Sequence, residues 1–405
     1  MKLQKKFILQ CDNPDRKNMK KLIICFIFLF SASCNNNQEK SGDNLTPAEE
    51  SILTSLSERL NKHDTSLTGI EMNTIKQSFQ NSPLAHAQLL YLYTKYFLNI
   101  HPDSATKYYS EFEVAAHKTE NDSVKVNLYL LSDYMMDNDS AILNRLLMAD
   151  SIAVKIKNEP KHASALTKLA QFYYDKYPDK SIEYNNAAAD LFSKLGDTRW
   201  AGFSTQNIAF AYYEKKDNPS KAEEYMKKAL VYWEQMNDTL GEANNIKYLG
   251  MLQGKLHKFD EAKGSIWKAI NKFESRNYKF GTAVSYFDLA SVYEDENKKD
   301  SAIYYLKKAK EFWETVSDTF RLFGINNFCF RLYLADKKLR EAYNSYTANN
   351  TMIKCEAVYW LDKLNFYNYS QNYFSKKGEK KREENYRILY TALKDSLTKS
   401  GIQIK

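Results

Sequence analysis

The sequence contains little glycine and little proline, 12 and 7 residues of 405. These residues mark most tight turns, and no Asn-Gly pair separates alternating apolar and polar residues in this chain. The sequence therefore gives no support for a β-sheet. Apolar residues recur instead at helical spacing through most of the chain after residue 46, and this pattern predicts an all-α protein.

Motifs of common catalytic and cofactor-binding sites are also missing. There is no His-Glu-x-x-His motif, no Gly-x-Ser-x-Gly motif and no glycine-rich phosphate loop. Acidic pairs such as Glu223-Glu224 and Glu383-Glu384 lie in lysine-rich segments, where ion pairing within a helix explains them. The sequence predicts a protein that is not an enzyme and holds no metal or other cofactor. None of the histidines stands at metal-ligand spacing; they are His63, His86, His101, His117, His162 and His257.

A strong net charge is missing once the first residues are set aside. The chain has 58 basic and 50 acidic residues, a formal charge of +8. Residues 1–33 hold 7 of the basic and 2 of the acidic residues, which leaves 51 against 48 in the rest. Because no basic stripe accompanies an exposed aromatic face, the sequence predicts no nucleic-acid partner.

The clearest positive feature is a repeat of about 40 residues. Each unit holds two apolar stripes at helical spacing, separated by a short polar break. A fixed period of this size is typical of stacked helical hairpins, in which each hairpin covers its neighbour. The repeat is marked by the alanines Ala189, Ala229, Ala269 and Ala309 and by the aromatic residues Phe192, Trp233, Phe273 and Trp313.

The unit resembles the tetratricopeptide repeat (TPR). The resemblance rests on Leu249-Gly250 and Leu289-Ala290-x-x-Tyr293, each followed by a small residue, Ala262 or Ala302, at the close-packing position of the second helix. It implies a right-handed superhelical solenoid, and the pattern accommodates about eight or nine helix pairs. The period exceeds the 34 residues typical of the family, and the proline that usually closes a unit is missing.

The first residues resemble a lipoprotein export signal. Met19-Lys20-Lys21 precedes an apolar run at 22–30, and Ser31-Ala32-Ser33 leads to Cys34. The resemblance to the bacterial lipobox implies a signal peptide at 1–33, possible translation from Met19, and a lipid-anchored Cys34. It implies anchoring in the envelope of a Gram-negative bacterium, at the outer membrane, facing the periplasm or the surface. An ordinary signal peptide or a short anchor is the alternative.

The rest of the chain divides into a tether and three helical segments. Residues 34–45 are polar and predict a flexible tether. Core repeats occupy 158–317, and divergent hairpins occupy 46–157 and 318–400. One capping box and two recurring signals predict helix starts. The capping box is Thr46-Pro47-Ala48-Glu49. The recurring signals, with the aspartate as N-cap, are Asp-Thr at 197–198, 238–239 and 318–319 and Asp-Ser-Ala at 103–105, 139–141 and 300–302.

The TPR resemblance also implies a ligand groove. In TPR arrays the first helix of each pair lines a concave groove, and exposed aromatics beside polar groups suit a peptide or protein segment. The alternative interpretation is that these residues are only the less buried half of the first helices. The register places ten residues in the groove: Phe203, Gln206, Phe210, Tyr213, Asn244, Lys247, Met251, Phe287, Ser291 and Glu294.

Two cysteines remain after the export signal and Cys34. Export would permit a disulfide between Cys329 and Cys355. Cys329 occupies a repeat core position and Cys355 lies near a predicted helix start, so two buried free thiols are expected.

Three functions are compatible with these features. The first is a lipid-anchored, non-catalytic scaffold that binds a protein or peptide and contacts the membrane only through its anchor. The second is an extracytoplasmic sensory or regulatory module, related to TPR-containing sensor kinases and helix-turn-helix regulators and lacking their output domain. The third is a glycan-binding outer-membrane lipoprotein. The small number of tryptophans, 5, and the short loops make this function less well supported.

Overall fold

A computed structural model describes residues 44–61, 69–98, 100–400 and 402, and within these residues the chain forms nineteen α-helices and no strand. In chain order the helices are α1 (Pro47–Asn61), α2 (Gly69–Ser78), α3 (Pro83–Phe97), α4 (Pro102–Lys118), α5 (Asp122–Leu130), α6 (Ser132–Met135), α7 (Asp139–Lys155), α8 (Glu159–Tyr173), α9 (Pro178–Lys194), α10 (Thr198–Glu214), α11 (Pro219–Gln235), α12 (Thr239–Lys255), α13 (Phe259–Ser275), α14 (Lys279–Asp295), α15 (Lys299–Thr315), α16 (Thr319–Ala335), α17 (Leu339–Met352), α18 (Trp360–Lys376) and α19 (Lys380–Lys399).

Helices that follow one another in the chain pack in pairs. The contacts define two compact units, one that ends at Ser204 and one that begins at Thr205, within α10. In the first unit α3 packs on α4, α5 on α7 and α8 on α9. In the second unit α12 packs on α13, α14 on α15, α16 on α17 and α18 on α19. The prediction of an all-α array of eight or nine helix pairs is confirmed. The predicted segment boundaries at 157/158 and 317/318 stay predictions.

The predicted export signal, Met19, Cys34 and most of the predicted tether lie outside the described residues. Within the part of the chain that the structure describes, no helix combines the length and apolar character needed to cross a membrane.

Side-chain caps fix several helix starts. Thr46 and Glu49 form the predicted capping box, in which the Thr46 backbone N–H donates to the Glu49 carboxylate at 2.7 Å. The carboxylates of Asp197, Asp238 and Asp318 each accept from the backbone N–H three residues on, at 2.9–3.2 Å. The Asp-Thr prediction is therefore confirmed.

The Asp-Ser-Ala prediction is wrong in its detail. Asp103, Asp139 and Asp300 lie in the first turns of α4, α7 and α15, not at the N-cap positions. At α7 the cap is Asn138, whose side chain accepts from the backbone N–H of Ala141 at 2.9 Å. An aspartate inside the first turn favours the helix through the positive end of its dipole instead.

Ten of the nineteen described helices end with a residue in left-handed backbone conformation, where the family's closing proline is missing. Such a residue allows the final carbonyl groups of a helix to accept hydrogen bonds from the turn. Glycine supplies this conformation at Gly196 and Gly378, with φ of 73° and 70°. At eight further ends φ is 49–63°, at Lys157, Asp217, Asn237, His257, Asn277, Asn297, Ser317 and Lys337.

The four aromatic residues that mark the 40-residue repeat connect consecutive repeats. Each marker lies near the end of a second helix and packs against the third residue of the next first helix. That residue is glycine in two units, and a Cβ on Gly281 would lie only 2.7 Å from the Phe273 ring. The contacts are Phe192 with Trp200, Trp233 with Gly241, Phe273 with Gly281, and Trp313 with Arg321.

Ion pairs add a second connection between consecutive units. Lysines and carboxylates that lie 30–40 residues apart in the chain meet at 2.7–2.8 Å. Because most of these side chains are partly exposed, each pair adds little stability and mainly fixes orientation. The pairs are Lys255–Asp295, Lys258–Glu223, Lys272–Glu242, Lys299–Asp336 and Lys338–Asp300.

Two helical glycines should respond to alanine with opposite signs. A Cβ on Gly250 would lie 2.6 Å from Ile266 Cγ1 and 3.0 Å from the Ala262 carbonyl oxygen, so Gly250→Ala should destabilise by about 1–3 kcal/mol. Gly264 has no atom within 4 Å of such a Cβ, and Gly264→Ala should stabilise by about 0.5–1 kcal/mol. Urea denaturation of both variants measures the difference. Equal effects would refute the close approach of α12 and α13.

Both described cysteines carry free thiols. Cys329 is buried as predicted, and burial raises the pKa of its thiol to about 11. The expectation for Cys355 is wrong, because this residue lies exposed in the turn after α17.

Candidate functional site

In the compact unit that begins at Thr205, the first helices of successive hairpins contact one another. α12 contacts α14, and α16 contacts α18. Between α14 and α16 the connection consists of an aromatic contact and an ion pair. The first-helix face is our name for the side chains that make contacts between first helices, together with Met251 and Ser291, which lie one helical turn after Lys247 and Phe287. Its members are Phe210, Lys247, Tyr248, Met251, Phe287, Asp288, Ser291, Glu294, Phe328 and Arg331.

Aromatic pairs bridge neighbouring first helices on this face. Phe210 of α10 meets Tyr248 of α12 edge to face, with ring centroids 5.0 Å apart. Phe287 of α14 meets Phe328 of α16 in the same manner at 5.6 Å. Edge-to-face pairs hold the rings in fixed orientations, so the face presents ordered apolar surface.

A buried pair of opposite charges joins α12 and α14. Lys247 Nζ is 3.9 Å from Asp288 Oδ2, and the two side chains are 7% and 10% exposed. The Lys247 ammonium also lies 4.3 Å from the centroid of the Tyr248 ring. Burial raises the pKa of Asp288 to about 6, and the nearby Lys247 opposes that rise. Asp288 Oδ2 accepts no hydrogen bond. The buried carboxamide of Asn245 makes none through either its oxygen or its nitrogen.

A second ion pair borders the face. The Arg331 guanidinium of α16 donates to the Glu294 carboxylate of α14 through two nitrogens, at 2.5 and 2.7 Å. Arg331 also stacks 4.8 Å above the Phe328 ring. Two-point contact of this kind orients both groups and is the strong form of an ion pair.

The ten residues predicted for the groove lie in the first helices, and most are partly buried. Gln206 and Lys247 are buried, at 8% and 6% exposure. The Asn244 amide donates to the backbone oxygen of Leu240 at 3.1 Å, and burial raises the pKa of Tyr213 to about 12. Phe203 belongs to the other unit, where its ring lies 5.6 Å from that of Trp200. Four of the ten make contacts between first helices: Phe210, Lys247, Phe287 and Glu294. Met251 and Ser291 lie one helical turn after Lys247 and Phe287 on the same helices.

Four residues of the first-helix face were missed by the register argument: Tyr248, Asp288, Phe328 and Arg331. Arg331 was open to prediction, because it follows Ser291 by 40 residues and so repeats the same position. Asp288 had no comparable signal, since its environment depends on the lysine of the preceding unit. The part of the chain that the structure describes also contains no cluster of three or more metal-ligating side chains.

No protein-family model and no curated protein sequence matches this chain. Solved structures are similar to it, at 15–17% sequence identity. The apo form of RapI aligns with 88% of this chain and 100% of its own, with a TM-score of 0.66. A signal-transduction ATPase with a TPR sensor, from Pyrococcus horikoshii, aligns with 88% of this chain and 55% of its own, at 0.59. A Rap protein complexed with Competence and Sporulation Factor aligns with 87% and 99%, at 0.52. These similarities show a TPR-like helical-repeat fold.

Proposed function

We propose that this protein is a non-catalytic TPR scaffold that binds a peptide or an extended protein segment along the first-helix face. The observation that carries the proposal is the row of ordered aromatic pairs and ion pairs across α10, α12, α14 and α16. Preformed aromatic anchors beside polar groups are typical of surfaces that bind peptides and proteins with useful affinity. A Rap protein of similar fold was solved in complex with Competence and Sporulation Factor, which supports a ligand-binding role for this fold.

The aromatic residues of the face should carry most of the affinity. An array of random synthetic octapeptides, probed with the full-length protein, supplies binding sequences. We expect Phe210→Ala and Phe287→Ala each to weaken binding of the selected peptides at least about tenfold, because each removes half of an aromatic pair. Fluorescence polarisation measures the affinities.

The matched control for these variants is Tyr304→Ala. Tyr304 is 55% exposed and lies on α15, a second helix, away from the first-helix face. The control should bind the selected peptides like the unmodified protein. Equal loss in all three variants, or retention in all three, would place the binding surface elsewhere.

We further propose that the scaffold is anchored to a bacterial envelope membrane through lipid on Cys34. The apolar run after Met19-Lys20-Lys21 and the small residues before Cys34 support this proposal. In Gram-negative cells grown with an alkyne-tagged fatty acid, the protein should incorporate the label and sediment with membranes. Cys34→Ser should abolish labelling completely, whereas Cys355→Ser should leave it unchanged. Label on the Cys34→Ser protein would contradict the assignment.

A regulatory role is the second candidate. The similarity to an ATPase whose TPR part is a sensor favours it, because a similar fold there belongs to a signalling protein. In that case ligand binding at the first-helix face should alter association with a separate output protein. Proximity labelling with and without the selected peptide tests this, and identical labelling in both conditions would leave only the scaffold role.

A further inference from the structure

The charged groups of the first-helix face come in two pairs of opposite sign. Arg331 is held by Glu294 through two hydrogen bonds, and Lys247 lies beside Asp288. The second pair is largely buried. A ligand charge placed against it would attract one member and repel the other in a weakly polar environment. The Lys247–Asp288 pair therefore disfavours charged ligand groups of either sign.

The two groups of this pair are close but do not share a hydrogen bond. The 3.9 Å between Lys247 Nζ and Asp288 Oδ2 exceeds the range of such bonds, about 2.7–3.2 Å. Asp288 Oδ2 has no other hydrogen-bond partner. A buried acceptor without a donor is costly, and a ligand that supplies the donor recovers that cost on binding.

We propose that the ligand places an uncharged group with a carbonyl acceptor and an N–H donor side by side against Lys247 and Asp288. This inference rests on the proposed function. The carbonyl oxygen accepts from the Lys247 ammonium, and the N–H donates to the Asp288 carboxylate. The Asp288 carboxylate then gains a charge-assisted hydrogen bond at Oδ2, where it has none in the structure, and the net charge of the pair does not change.

Two parts of a peptide carry this chemistry. One is the side-chain carboxamide of asparagine or glutamine. The other is the backbone of a single extended residue, whose N–H and C=O point toward the same edge. A carboxylate side chain in this place would face Asp288, and an ammonium would face Lys247. Whether the group is a side-chain carboxamide or the peptide backbone, the site should prefer a neutral group that both donates and accepts a hydrogen bond.

The test uses peptides selected from the random octapeptide array. Each position of a selected peptide is replaced in turn by Gln, Glu, Lys and Leu, and each backbone amide is methylated in turn. For a carboxamide ligand, Gln at one position should bind at least tenfold more tightly than Glu or Lys. For a backbone ligand, N-methylation at one position should weaken binding at least tenfold.

The protein variant for this test is the double substitution Lys247→Met with Asp288→Leu. Replacing a whole buried ion pair with apolar residues of similar size is often neutral or stabilising, so this variant should fold. The matched control is Lys255→Met with Asp295→Leu. That pair also joins α12 to α14, at 2.8 Å, and its side chains are 39% and 35% exposed.

The inference predicts that the preference for Gln, or the sensitivity to N-methylation, disappears in the Lys247/Asp288 variant and persists in the control. Equal peptide profiles for the unmodified protein and this variant would overturn the inference and leave the proposed function standing. A preference for Glu or Lys that depends on Lys247 and Asp288 would also overturn it. If the unmodified protein selects no peptide from the array, the proposed function itself fails.

Discussion

Replacing Phe273 with alanine is expected to lower the free energy of unfolding by about 3–5 kcal/mol, the range for a large buried aromatic side chain. The Phe273 ring is fully buried and packs with Ala243, Ile246 and Ala269 of α12 and α13. It also packs against Gly281 at the start of α14. Alanine would leave a cavity bordered by three helices, and none of them can move into it without losing its other contacts.

The effect should spread beyond one helix pair because Phe273 lies where two units meet. In a repeat array, stability is the sum of the units and of the interfaces between neighbours. Loss of this contact weakens the interface between the pair α12–α13 and the pair α14–α15. Urea denaturation followed by circular dichroism gives the total loss, and hydrogen exchange should show the largest loss of protection in α12, α13 and α14.

Tyr304→Ala provides the control, since it also removes an aromatic ring from a second helix. Tyr304 is 55% exposed, so its loss should change the free energy of unfolding by no more than about 0.5 kcal/mol. A loss below about 1 kcal/mol for Phe273→Ala would contradict the tight packing at this position.

The fold could be predicted from the sequence because equivalent residues make equivalent contacts in every 40-residue repeat. Ala189, Ala229, Ala269 and Ala309 are buried, and each aromatic marker contacts the next unit. The Asp-Thr caps were also predictable, since capping depends on neighbours three residues away. The Asp-Ser-Ala starts were misread because the actual helices begin one or two residues earlier, which the shared triplet does not reveal.

The candidate site was less accessible to sequence reasoning. Register alone places Phe210, Met251, Ser291 and Arg331 at equivalent positions, 40 or 41 residues apart. It cannot show that Lys247 and Asp288 meet, because they occupy adjacent, different positions of successive units. It also cannot show how far each side chain is buried, which decides whether a polar residue faces a ligand or the protein interior.

Asp362 is a buried carboxylate with a large expected effect on stability. It lies in the first turn of α18 and is 9% exposed. Burial alone raises its pKa, from 3.8 to about 7. The neighbouring Asn327 amide donates to the backbone oxygen of Asp362 at 2.8 Å, so this bond does not involve the carboxylate. The ionised side chain therefore destabilises the folded protein.

The sign of the pH dependence follows from proton binding. Between about pH 4 and pH 7 the unfolded chain ionises at Asp362, whereas the folded protein keeps the proton there. The contribution of Asp362 to stability is therefore fully present near pH 4 and is lost as pH rises toward 7. Since each pKa unit corresponds to about 1.4 kcal/mol, the total loss is up to about 4 kcal/mol.

Asp362→Asn should remove this dependence, because asparagine has similar shape and cannot ionise. Urea denaturation should find the variant more stable than the unmodified protein by up to about 4 kcal/mol at pH 8 and equally stable near pH 4. Asp336→Asn should show the opposite pH dependence of stability. A hydrogen bond from Lys299 lowers the pKa of Asp336, so its contribution is present above about pH 4 and is lost as pH falls. The same pH profile for the Asp362→Asn protein and the unmodified protein would show that water or a cation reaches the Asp362 carboxylate.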